Sequence, residues 1–125
     1  MSGARGEVTL RAGERDVHIL FTNRALAEAE QRLNRSILGV AQGLTDGTTG
    51  LGETVVLLRA GMEAARRDAG ERGPAVALET AYNVMDAAGF GPVAAAVMEA
   101  VGAVLSWGTS DDDQGEGEGE DPNPL

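Results

Sequence analysis

"EVTLRAGERDVHILF", residues Glu7 to Phe21, decides the fold. Val8 and Leu10 fall on one side of an extended chain, and Glu7, Thr9 and Arg11 on the other. After Ala12-Gly13-Glu14 the alternation resumes, with Val17, Ile19 and Phe21 on one face and Asp16 and His18 opposite. Two period-two runs around a short glycine-containing loop predict a β-hairpin with one buried face. A two-stranded ribbon alone is marginal in water, so that face must pack on something else.

Beyond Phe21 the chain takes on helical spacing. Thr22 or Asn23 caps a predicted helix to about Asn34, with Leu26, Ala29 and Leu33 on one face. "SILGVAQGL" predicts a short second helix, capped by Ser36 and ended by Gly43, before the loop "TDGTTG". From Leu51 to Ala69 the apolar residues Leu51, Val55, Leu58, Met62 and Ala65 step by four and three, with Arg59, Glu63, Arg66 and Asp68 off the stripe. "AGERG" breaks this helix, Gly70 or Gly73 supplying the left-handed residue. Pro74 suits the first turn of another helix to about Ala88, with Leu78, Tyr82 and Met85 on a face; Pro92 opens the last, ending near Trp107. The expected fold is α+β, mainly α: an N-terminal hairpin packed on a small bundle of four to five helices, residues 1–107, without internal repeats.

Residues 108–125 are a different material. Asp111, Asp112, Asp113, Glu116, Glu118, Glu120 and Asp121 place seven acids there with no base, out of a formal charge of −10. A segment with so little apolar content cannot offset its chain entropy, and a disordered acidic tail is expected. The remainder is nearly balanced, ten bases against thirteen acids, and every base is arginine. That distribution argues against nucleic acid and anionic membrane surfaces as partners, since both require clustered cations.

Just before the tail lies the most apolar stretch, Ala87 to Trp107, with Glu99 its single ionisable residue. A membrane span is disfavoured: Ala and Gly gain little from lipid, Glu99 would sit mid-bilayer, and no arginine cluster flanks it. A helix apolar all round is normally buried by protein, here with Val93, Val97, Val101, Val104 and Leu105 against the Leu51–Ala69 helix and the hairpin. Core packing is the default for such residues, and equally for methionine. The alternative is an adaptable surface for another protein, for which the candidates are Leu58, Met62, Met85, Phe90, Val97, Met98, Val101, Leu105 and Trp107.

Site chemistry is sparse. His18 is the lone histidine, on a strand's polar face with no nucleophile near it in sequence, which reads as a solvated side chain rather than part of a triad. "DDDQGEGEGED" lacks the spacing of a calcium loop, and "GLTDGTTGLG" has neither the lysine nor the preceding strand of a phosphate loop. Arg24, Arg32 and Arg35 are interleaved with Glu28 and Glu30, as on a solvated helix face. There is no cysteine, hence no disulfide or thiolate metal site. No enzyme, metal or cofactor is expected. No basic segment followed by an apolar one opens the chain, so the expectation is a cytoplasmic protein.

Laid in order, the hairpin, "FTNRALAEAEQRLNRSI", "ETVVLLRAGMEAARRDAG" and "AYNVMDAAGFGPVAAAVMEAVGAVL" resemble the small tail assembly chaperones of long-tailed phages, in the version found in gene transfer agents. The similarity spans about Val8 to Leu105 and rests on block order and on phrases such as "FTNRAL" and "LLRAG". It implies a non-enzymatic protein of the bacterial host cytoplasm that binds the tape measure protein, keeps it soluble and promotes assembly of tail tube protein around it. It further implies absence from the finished particle and, in many relatives, a longer frameshifted form whose junction would fall near Gly108 to Leu125. The loop from Gly43 to Gly52 and the acidic tail depart from the family and inherit no role. A structural virion component (a head–tail connector or tail completion protein) and a small acidic regulatory adaptor are the competing readings, and a second copy of the chain is a further partner to consider.

Overall fold

The computed structural model describes residues 5–106. Within them the fold is α+β, mainly α: an antiparallel hairpin followed by five helices. Strands β1 (Arg5–Ala12) and β2 (Arg15–Thr22) pair with Arg5 opposite Thr22 and Ala12 opposite Arg15. Gly13, at φ 65°, takes the first position of the two-residue turn, where hairpins of the II′ type place glycine. Leu10, Ala12, Val17, Ile19 and Phe21 are buried on the inner face, as the alternation predicts. Leu20 belongs by parity to the outer face, yet it too is buried.

Helix α1 (Asn23–Leu33) continues from β2 without a loop because Thr22 ends the strand and caps the helix: its Oγ1 accepts from Ala25 N–H at 3.1 Å. Asn34, at φ 55°, closes the other end by donating its N–H to the Glu30 carbonyl. Thr22→Ala removes the only side-chain cap at this strand–helix junction, and should cost about 1 kcal/mol, read as a fall of roughly 5 °C in thermal midpoint.

Helix α2 (Ile37–Asp46) starts at its predicted cap, Ser36, but runs past the predicted end at Gly43 to Gly47, which is left-handed at φ 78°. Gly43 instead clears room for the loop that folds back over it. Its carbonyl accepts the N–H groups of Thr48 and Thr49, and buried Thr49 Oγ1 donates to the Val40 carbonyl at 2.8 Å.

Helix α3 (Leu51–Asp68) is the central element, packed on β2, α1 and the two later helices. Val55, Leu57 and Leu58 are fully buried, and Gly61 brings the helix so close to the hairpin that a side chain there would run into Ile19 and Phe21. Leu51, the first residue of the predicted stripe, is exposed instead, and the buried face widens to take in Thr54 and Glu63.

Helix α4 (Leu78–Ala88) begins beyond Pro74, so proline does not open it. Residues 71–77 are held against α3 by bonds that a helix would need for itself. Val76 N–H donates to Glu63 Oε1 at 2.8 Å, Arg59 donates to the Val76 carbonyl at 2.9 Å, and Arg66 donates to the carbonyls of Glu71 and Gly73. The apolar face of α4 is also rotated from the prediction: Ala81, Val84 and Met85 are buried, whereas Leu78 and Tyr82 are exposed.

Helix α5 (Phe90–Leu105) leaves α4 at a 115° bend around Gly89 and lies across β1, β2, α3 and α2. Val93, Val97, Val101 and Val104 are buried in the core shared by hairpin and helices, with Leu105 packed at its edge. At Gly6 the strand meets the Ala100 carbonyl of α5 directly. Among the described residues no single helix is long and apolar enough to cross a membrane. Trp107 and the acidic segment 108–125 lie outside the described residues.

Candidate partner-binding surfaces

The candidate surface residues separate into two groups. Leu58, Met62, Met85, Val97 and Val101 are core residues with under a tenth of their surface exposed, and they cannot meet a partner without unfolding. Met62 and Met85 thus serve as core filler. Phe90 and Met98 are 42% and 40% exposed, and Leu105 is half-buried. Exposure also brings forward residues that apolar periodicity assigns to the core: Leu78 at 42% and Tyr82 at 45%, one turn apart on α4. Leu78 and Tyr82 precede the α4–α5 bend and Phe90 opens the helix after it. Met98 lies against α2, its sulfur 3.4 Å from Thr45 Oγ1. Leu38 on α2 is exposed as well.

A second feature is polar. Helices α1 and α3 lie side by side and enclose with the end of the hairpin a groove of about 710 Å³. Its floor is built of small side chains, Ala25 and Ala29 from α1 and Ala60 and Ala64 from α3, with Leu20 at the end. Each helix contributes a charge ladder with a step of four: Arg24, Glu28 and Arg32 on α1, and Arg59, Glu63 and Arg67 on α3. Five of the chain's ten arginines line this groove.

Its carboxylates are already committed. Glu28 pairs with Arg24 at 3.3 Å, and Asp68 with Arg5 at 3.0 Å, which ties the end of α3 to the start of β1. Glu63 accepts from Arg66 twice, from Arg67 and from Val76 N–H, all within 2.9 Å. The Arg66 guanidinium, assisted by the Val76 amide and Arg67, holds the Glu63 carboxyl at about 2 despite its burial. The Arg5 hydrogen bond likewise lowers Asp68. Groups held ionised in this way suit structure rather than proton transfer. The guanidinium groups are less fully matched. Arg59 reaches only the Val76 carbonyl, and burial first, then the positive charge of Arg32, pushes its pKa below the ordinary arginine value.

A further groove of about 510 Å³ separates the outer face of the hairpin from the end of α3, with Leu20 in its wall and His18 at its edge. His18 is exposed and lies 3.3 Å from Thr9 Oγ1 across the ladder, as a solvated strand histidine should. Among the described residues no group of three or more His, Asp or Glu side chains is placed to hold a metal ion.

Compared with protein-family models, curated proteins and solved structures, the chain matches none of them.

Proposed function

We propose that this chain is a non-enzymatic assembly chaperone of a phage or gene transfer agent tail, which binds the apolar, helical tape measure protein in the host cytoplasm and promotes tail tube assembly around it. The observation that carries the reading is the set of large apolar side chains left in solvent on α4 and at the start of α5, Leu78, Tyr82 and Phe90, each 42–45% exposed on a body whose core buries Leu57, Leu58, Val55, Val93 and Val97 completely. Scattered exposed apolar residues are ordinary, whereas Leu78 and Tyr82, one turn apart on α4, present the spacing by which a helix face meets another protein. The resemblance in block order supplies the identity of that partner. The carboxylates Glu63 and Asp68 are tied up in ion pairs that fix the end of α3, a structural use.

The test is co-expression with the tape measure protein of the same gene cluster. The wild-type chain should raise its soluble yield and co-elute with it. A Tyr82→Ser, Phe90→Ser double variant should reduce the recovered complex by about tenfold, as loss of a central aromatic anchor does. Both side chains are nearly half exposed, so its thermal midpoint should move by no more than roughly 5 °C. No complex with the wild-type chain would sink the proposal. Stoichiometric retention in purified particles would replace it with a structural virion role.

A further inference from the structure

The arginine-lined groove between α1 and α3 is unexpected in a chain with a formal charge of −10. The two ladders bring four arginines and two glutamates to its walls, and Arg5 and Asp68 offset one another at its end. Arg32 makes no hydrogen bond or ion pair within the described residues, and Arg59 has no carboxylate partner. The small-residue floor admits an extended peptide between the walls. We propose that this groove binds carboxylate-rich peptide, and that its occupant in the free protein is the chain's own acidic run, Asp111 to Asp121.

Charge complementarity and tethering select that occupant. The run carries seven carboxylates and no base, and in the groove five guanidinium groups face three acids. Helix α5 ends at Leu105, and the acidic run begins six residues later and ends at the sixteenth. At roughly 3.4 Å per residue those positions reach up to about 20 and 55 Å. A folded body of about 100 residues has a radius of gyration near 13 Å, so the later acids of the run reach across much of its surface. A tether of this length supplies an effective concentration of order millimolar, so a weak ionic contact suffices to fill the groove. Burial first, and then the positive charge of Arg32, lower the pKa of Arg59, and an added carboxylate between the two arginines would oppose the second of these effects. An acidic segment of a partner would then have to displace the chain's own, and this holds whatever the partner of the α4–α5 surface proves to be.

The test uses the full chain, with arginine Nε–Hε and backbone amide resonances as the readout at about 20 mM salt, where surface charges are little screened. A tail-neutral variant changes all seven acids to Asn or Gln. It should shift the Arg32 and Arg59 side-chain signals and the amides of α1 and α3, and salt near 0.5 M should reproduce those shifts in the wild type. A synthetic peptide of residues 108–125 added to the tail-neutral chain should restore the wild-type positions. Arg32→Gln, which removes a charge without removing a bond within the body, should weaken that peptide at least fivefold, and Arg32→Gln, Arg59→Gln together more. Unchanged groove signals on tail neutralisation would overturn the proposal. So would peptide binding that ignores both arginines, or peptide binding at the groove while the tail leaves the intact chain's groove signals unaffected, which would assign the site to another molecule's acids.

Discussion

A Gly6→Val chain unfolds at a midpoint on the order of 15 °C below the wild type, and a Gly102→Ala chain slightly above it. The two substitutions add side-chain atoms at glycines that belong to the same pair of packed elements, and what the new atoms meet sets the sign of each. At Gly6 of β1 a Cβ would overlap the Ala100 carbonyl of α5, so neither partner can yield by turning a side chain. Strand and helix must separate, and every valine of α5 buried against the hairpin loosens with them. Overpacking of this kind costs at least about 3 kcal/mol, a large share of the 5–15 kcal/mol a domain has. At Gly102, in the last turn of α5, a Cβ meets open space, and replacing a helical glycine there gains up to roughly 0.5 kcal/mol. Thermal unfolding followed by circular dichroism reads both. A Gly6→Val midpoint within a few degrees of the wild type would mean that α5 is not seated on β1 as described.

The same contact marks what the sequence makes legible. Alternation from Val8 to Phe21 predicts the hairpin and its inner face because strand parity is a local property, and the caps Thr22 and Ser36 are equally local. Leu20 escapes that logic. It faces outward by parity and is buried at the end of the groove beside small side chains of α1 and α3, a placement no strand pattern encodes. Pro74 is misleading for a related reason: a proline permits a helix start, but the segment after it is claimed by Glu63, Arg59 and Arg66 of the preceding helix. On α4 the choice of face depends on three apolar residues, and the smaller Ala81 and Val84 take the core in place of Leu78 and Tyr82.

The groove has its own partial legibility. Arg24, Glu28 and Arg32 repeat every four residues on α1, and so do Arg59, Glu63 and Arg67 on α3. Either ladder alone reads as a solvated helix face. Only the packing of α1 on α3 sets the two together and turns ordinary surface charge into one basic channel. Helix α4 is the reverse case: Leu78 and Tyr82 read as its apolar face in the sequence and stand exposed in the fold, while Phe90, a surface candidate, is exposed as expected. Periodicity locates a residue on its own helix, whereas what faces that helix is set by packing.

Glu63→Ala should cost about 3 kcal/mol, at the low end for breaking a buried ion pair because Arg67 remains half in solvent. The carboxylate is 6% exposed and holds four bonds, one of which is the anchor of residues 71–77 at Val76. Its removal strands the Arg66 guanidinium and frees the α3–α4 connection, so amide exchange at Val76 should accelerate more than at any strand residue. Glu63→Gln separates charge from shape. In the folded chain the Glu63 carboxyl lies at about 2, against an ordinary value of 4.5. A depressed folded value means that its stabilisation is complete above the unfolded pKa and is lost as pH falls through the folded one. The wild type should therefore lose about 2 kcal/mol from this group between pH 4.5 and 2, after allowance for the exposed rim of the pair. The Gln variant starts lower at pH 7 and lacks that increment, so the two stability curves should converge as the solution is acidified. Denaturant midpoints at pH 7, 4 and 2.5 measure the convergence. Parallel curves would show that Glu63 is protonated at its ordinary value and that the α3–α4 connection is held by something other than its charge.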